Sequence, residues 1–160
     1  MDTPTPALYS HDIEQSLLGL LLRNNHLMDK LPDFFRADFF YDPVHQRLYA
    51  AIATLTQRGR LASPLTLEQY FKDEKDNNSI HDYIQKVGDV ILPPDNVPEY
   101  AQHIFDFYLR RQLMDMGHNL AAKVATSDPD GPTPQQHIED TEQGLFQLAQ
   151  WGTDRGPVHL

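Results

Sequence analysis

The sequence predicts an all-α domain, a compact bundle of about five short helices followed by a C-terminal helical hairpin. Apolar residues recur at three- and four-residue spacing along most segments, the period of a helix with one buried face. Ser, Thr, Asp or Asn stands in front of several of these segments with proline close behind, as helix starts favour. Twelve prolines punctuate the pattern, so many helix boundaries are expected rather than a few very long helices.

After a leader over residues 1–9, Ser10 caps the first helix, and Asp12 and Glu14 in its first turn suit the positive end of the helix dipole. Ile13, Leu17, Leu20 and Leu21 form its buried stripe. Gly19 costs about 1 kcal/mol against Ala inside a helix, which a close helix contact at that point would explain. Asn24-Asn25 ends the element, a short helix follows around His26 to Leu31, and Pro32 with Phe34-Phe35 and Phe39-Phe40 makes a turn anchored in the core. Asp42 and Pro43 then start an amphipathic helix that faces Val44, Leu48, Ile52 and Leu55 inward and His45, Gln46, Arg47 and Gln57 toward solvent. Gly59 ends it in the left-handed conformation. Thr66-Leu67-Glu68-Gln69 reads as a capping box for a helix carrying Leu67, Tyr70 and Phe71. Asp73 to Ser79 is a polar loop, Ile80 to Val87 a short helix, and Pro93-Pro94-Asp95 a break that closes the bundle, residues 10–95.

The hairpin, residues 96–150, belongs to the same domain. Asn96, Val97, Pro98 and Glu99 open the longest periodic segment, roughly Val97 to Ala125, which carries Leu109, Leu113, Met116, Leu120 and Val124. Asp128 to Pro132 makes a turn, and Thr133-Pro134-Gln135-Gln136 repeats the cap and proline signature for a last helix running to about Gln150. Leu109, Leu113, Met116, Leu145 and Leu148 pack the two helices together, whereas Tyr100, Phe107 and Tyr108 widen the apolar surface beyond what one face needs. Residues 151–160 read as the start of a linker or a cut end.

Composition narrows the function classes. A hydrophobic share of 40% with 22% charged residues is ordinary for a globular domain, and no apolar run approaches the roughly 20 residues of a spanning helix. The short run Leu17 to Leu22 follows acidic residues and lacks a cleavage pattern, so no export signal is read. The absence of cysteine rules out disulfides and thiolate metal sites and suits a cytoplasmic location. A formal charge of −10 means that the chain alone should bind DNA poorly, since such binding draws its affinity from Lys and Arg on phosphates.

The sequence supplies no catalytic constellation. There is no Gly-x-x-x-x-Gly-Lys-Ser/Thr loop to cradle a phosphate and no strained nucleophile turn. The dipeptides His11-Asp12 and His81-Asp82 suggest a helical metal-dependent phosphohydrolase, but each sits at a helix start where Asp is favoured by the dipole alone. His103 and Asp106 share a helix face without a third ligand. No metal, cofactor or catalytic residue is therefore expected. Arg110-Arg111 is the densest basic spot in the long helix, balanced by Asp106 and Asp115, each four residues from an arginine.

Four patterns carry a family resemblance. Glu14-Gln15-Ser16-Leu17-Leu18-Gly19 is similar to a Glu-Gln-x-Val-Leu-Gly motif near the N-terminus of the bacterial replicative DNA helicases of DnaB type. Asp38-Phe39-Phe40, a short turn, then His45 to Tyr49 resembles that family's Asp-Phe-Tyr followed by His-x-x-(Ile/Leu)-Tyr/Phe. Leu65-Thr66-Leu67 resembles its Val-Thr-Leu, and Tyr100-Ala101 with Arg110-Arg111-Gln112-Leu113 its Tyr-Ala and Arg-Arg-x-Leu. The resemblance implies the helicase N-terminal domain, which pairs hairpins into dimers and dimers into a hexameric collar and docks primase and, in some systems, a loader. ATP and Mg²⁺ then belong to a separate C-terminal domain, DNA is met only by the full-length ring, and no catalytic activity is expected in these 160 residues. The interface would use Tyr100, Phe107, Tyr108, Arg110, Arg111, Leu113, Met116 and Leu145. A helicase-binding C-terminal domain of a DnaG-type primase is the nearest alternative, and the helical phosphohydrolase a more distant one.

Overall fold

The computed structural model describes residues 8–74, 77–126 and 128–153; the leader up to residue 7 and the tail from residue 154 lie outside them. The described residues are all-α, with no strand among them: α1 His11–Arg23, α2 Pro43–Gln57, α3 Pro64–Tyr70, α4 Asn77–Gly88, α5 Val97–Ala125 and α6 Pro134–Thr153. Short 3₁₀ segments cover Asn25–Lys30, Ala37–Phe39 and Pro94–Asn96.

Local chemistry sets most helix starts. The Ser10 hydroxyl accepts from the Ile13 amide at 3.2 Å, and the Asp42 carboxylate accepts from the Val44 amide at 2.8 Å ahead of Pro43. Gly59 has φ +71° just past α2, the left-handed conformation that glycine adopts without steric cost. The capping box of α3 lies three residues earlier than Thr66-to-Gln69 predicts. Ser63 is the cap: the Thr66 amide donates to Ser63 Oγ at 3.3 Å and the Ser63 amide to Thr66 Oγ1 at 2.8 Å, so Thr66 closes the box rather than opening it. The segment around His26 to Leu31 is a 3₁₀ turn, and α4 begins at Asn77, inside the stretch expected to be loop.

The chain divides into two compact units, residues 1–108 and 109–160. In the first, α1 lies against α2 and α4. It is buried over more than a stripe, because Leu17, Leu18, Leu20 and Leu21 are all at most 1% exposed. Gly19 supplies the close approach: a Cβ there would lie 2.6 Å from Val90 Cβ and 2.7 Å from the Val87 carbonyl. The turn before α2 feeds an aromatic cluster in which Phe35 meets Phe39 and Phe40 edge-on at 5.4 and 5.7 Å, and Phe39 meets Phe105 of α5 at 5.1 Å. Val97, Ala101, Ile104 and Phe105 are the buried residues of α5, so only its first turns join this core. Asn25 locks the approach to α3, donating to the carbonyls of Leu21 and Ala62 at 2.9 and 2.8 Å and accepting from the Ala62 amide at 2.9 Å.

In the second unit the Asp128 carboxylate accepts from the Asp130 amide at 2.9 Å, forming the turn. Thr133 and Gln136 form a reciprocal capping box for α6, at 3.2 and 2.8 Å, as the sequence predicts. α6 continues to Thr153, past the expected end near Gln150. Met116 Cε would lie 2.8 Å from a Cβ on Gly144, so the glycine lets the methionine reach the α6 backbone.

Gly19→Ala should lower the unfolding free energy by about 1–3 kcal/mol through overpacking, even though Ala favours a helix by about 1 kcal/mol. Urea unfolding checks this, and a stabilised variant would remove the close approach as the reason for the glycine.

Candidate functional site

Two features stand out in a chain whose polar groups are otherwise mostly solvated. The first is a buried polar network in residues 1–108. Glu14 and His45 are the buried charged or polar side chains there, at 2% and 0% exposure. Glu14 Oε2 accepts from the Tyr41 amide at 2.7 Å, and Oε1 accepts from the Asp42 amide at 3.3 Å and lies 2.8 Å from His45 Nδ1. His45 Nε2 lies 2.5 Å from the Tyr83 hydroxyl of α4, which also lies 3.1 Å from His11 Nε2 at the start of α1. The His11 and His45 rings stack at 4.9 Å. Burial, and after it the carboxylates of Asp42, Glu14 and Asp12, push the Tyr83 hydroxyl well above its ordinary value, so it stays a proton donor.

His45 is therefore not solvent-facing, as its polar character suggests. It sits one turn ahead of Leu48 and Tyr49 and two ahead of Ile52, all buried, and the helical period alone places it on their face. Glu14 is likewise more than a favourable charge near the α1 dipole, because its carboxylate holds the backbone that enters α2. Arg47 is about half exposed, as expected, pairing with Glu74 at 2.8 Å and lying 5.2 Å over the Phe71 ring. Phe39 and Phe40 are fully buried core anchors, again as expected.

The two His-Asp dipeptides do not act as pairs. Asp12 and Asp82 are exposed, while His81 Nε2 lies 3.2 Å from the Glu68 carbonyl of α3. His103 lies 3.8 Å from Glu99 on the same helix, both well exposed. His11 instead joins Asp42 and His45, and among the described residues these three offer ligand atoms within 4.8 Å of one another. His11, Asp42 and Tyr83 line a cleft of about 500 Å³ together with Val44, Arg47, Glu74, Ser79 and Ile80.

The second feature is the apolar surface of residues 109–153. None of its described residues is buried. Leu113, Met114, Val124, Ile138, Leu145 and Phe146 are each at least 45% exposed, and Met116 and Arg111 are intermediate, with Arg110 exposed. In the other unit, Tyr100, Phe107 and Tyr108 are intermediate, and the Tyr108 ring lies 4.7 Å from that of Phe39.

Removing the buried carboxylate strands two backbone amides and an imidazole. Glu14→Ala should therefore cost about 3 kcal/mol or more of stability, read from urea unfolding, and a loss under about 0.5 kcal/mol would show that the network is incidental.

The chain is 30% identical over 152 residues to the replicative DNA helicase DnaB of Rickettsia felis, covering 92% of the chain but 31% of that protein. It is 26% identical over 159 residues to the DnaB helicase of a Synechocystis strain, covering 97% and 18%. The chain thus spans under a third of the length of the curated relatives it matches. The crystal structure of the N-terminal domain of DnaB helicase from Mycobacterium tuberculosis superposes with a TM-score of 0.72 at 20% identity, covering 89% of this chain and 99% of that one. Residues 6–106 match the family model of the DnaB-like helicase N-terminal domain, and the chain belongs to that family.

Proposed function

We propose that this chain is the assembly and docking domain of a replicative hexameric DNA helicase. The observation that carries the reading is the apolar surface of residues 109–153, which exposes six large hydrophobic side chains and buries none of its described residues. Two helices cannot hide such a surface by packing on each other alone, and a second copy of the same pair covers it at low cost. Leu113, Met116 and Leu145, with Arg110 and Arg111, take part in this contact, and in the other unit Tyr100, Phe107 and Tyr108 offer a further apolar surface to a partner. Dimers formed in this way build the hexameric collar of the parent helicase.

Family membership supports the rest of the reading. The parent hydrolyses ATP with Mg²⁺ in a domain outside this sequence and meets DNA as a ring, while the charge of −10 leaves this part suited to protein partners rather than to DNA. Primase is the principal partner, a helicase loader a further one in some systems, and the setting is the cytoplasm. Membership in the helicase family also favours this reading over a primase tail or a phosphohydrolase.

Sedimentation velocity tests the assembly. The chain should self-associate at high micromolar concentration, and Leu113→Glu with Leu145→Glu should remain monomeric while the first unit keeps the cooperative unfolding of the wild type. A wild-type chain that stays monomeric across this range would contradict self-assembly through these helices.

A further inference from the structure

We propose that His11, His45 and Asp42 form a binding site for a divalent transition-metal ion of the zinc class beside the 500 Å³ cleft that His11 and Asp42 line. Two imidazoles and a carboxylate are the donors that select zinc, cobalt or nickel over magnesium or calcium. Their ligand atoms lie within 4.8 Å of one another. Donors around one ion, each at roughly 2.0–2.2 Å from it, stand about 3–4 Å apart, so small side-chain rotations complete the site.

The surroundings are already those of a metal ligand set. The Glu14 carboxylate, 2.8 Å from His45 Nδ1, holds the proton on that nitrogen and leaves the Nε2 lone pair toward the Tyr83 hydroxyl, the carboxylate–histidine arrangement that orients zinc-binding imidazoles. Asp42 spends Oδ1 on the Val44 amide, at 2.8 Å, and keeps Oδ2 for the ion. The Tyr83 hydroxyl lies near Nε2 of both histidines, at the point where an ion would sit, so uptake of the ion displaces this hydroxyl into the cleft. The positive ends of α1 and α2 oppose a cation here, and the carboxylates of Glu14 and Asp42 offset them. Because His11 begins α1 while Asp42 and His45 begin α2, a bound ion staples two helices that are far apart in sequence.

The test titrates the chelator-treated full chain with Zn²⁺ and with Co²⁺, following uptake, the visible bands of cobalt and the melting temperature. One equivalent should bind, with cobalt bands of low coordination number and a raised melting temperature. Asp42→Asn keeps a good helix cap while removing the charge, and His11→Ala removes a ligand outside the core; each should weaken uptake at least about tenfold. Tyr83→Phe should bind no more weakly than the wild type. Absence of saturable uptake at one equivalent, or uptake undiminished in both Asp42→Asn and His11→Ala, overturns the site, and weaker uptake by Tyr83→Phe overturns the displacement of the hydroxyl.

Discussion

A carboxylate taken out of water must be met by donors, and in this fold the requirement falls on Glu14. Its oxygens are filled by the amides of Tyr41 and Asp42 and by the ring of His45, so Glu14 is buried at low cost only if the chain turns at residues 41–45 as it does. That turn in turn sets the rest. It brings Asp42 and Pro43 to the start of α2, buries Leu48, Ile52 and Leu55 in the core, and leaves Phe39 and Phe40 in the aromatic cluster that receives Phe105 from α5. Tyr83 then ties α4 to the same group through His45. One buried pair thus couples four helices that share little sequence proximity.

The two units draw their stability from different sources. Residues 8–108 have an apolar core, with Leu17, Leu18, Phe39, Phe40 and Ile84 fully buried, and the buried side-chain polar atoms among the described residues have hydrogen-bond partners. Residues 109–153 have caps, a turn and the Met116–Gly144 contact, but no buried residue among those described. Helices without a buried face gain little beyond propensity and capping, because most helical stability in proteins comes from packing an amphipathic face. Under the proposed self-assembly, a second copy supplies the missing burial, which also makes this unit the natural seat of assembly control.

Most of the fold was legible because helix starts are written in local chemistry. Asp42-Pro43 and Thr133-Pro134 each pair a capping side chain with a proline that loses no hydrogen bond, and α5 starts at the Asn96-to-Glu99 signal and runs through the longest proline-free stretch in the chain. Ser63-Pro64 carries the same signature but competes with the Thr-to-Gln spacing three residues later. His45 reads as solvent-facing only when residue type is weighed above position in the helical period. Other features lie beyond any local pattern: Asn25 meets Ala62 across 37 residues, and His11 meets His45 across the whole of the first turn-rich region, so neither spacing leaves a mark in sequence. The sequence places the apolar excess of α5 at Tyr100, Phe107 and Tyr108 and assigns Leu113 and Leu145 to packing within the hairpin, whereas the structure leaves Leu113 and Leu145 about half exposed and the three aromatics only partly so, a distribution that periodicity alone does not reveal.

The claim that the two units are stabilised from different sources is tested most directly by amide hydrogen exchange measured across a range of protein concentrations. Amides of α1 and α2 should exchange at rates independent of concentration, whereas protection of α6 should increase as the chain is concentrated. Concentration-independent protection of α6 equal to that of α1 would contradict the account, because residues 109–153 would then be stable without a second copy.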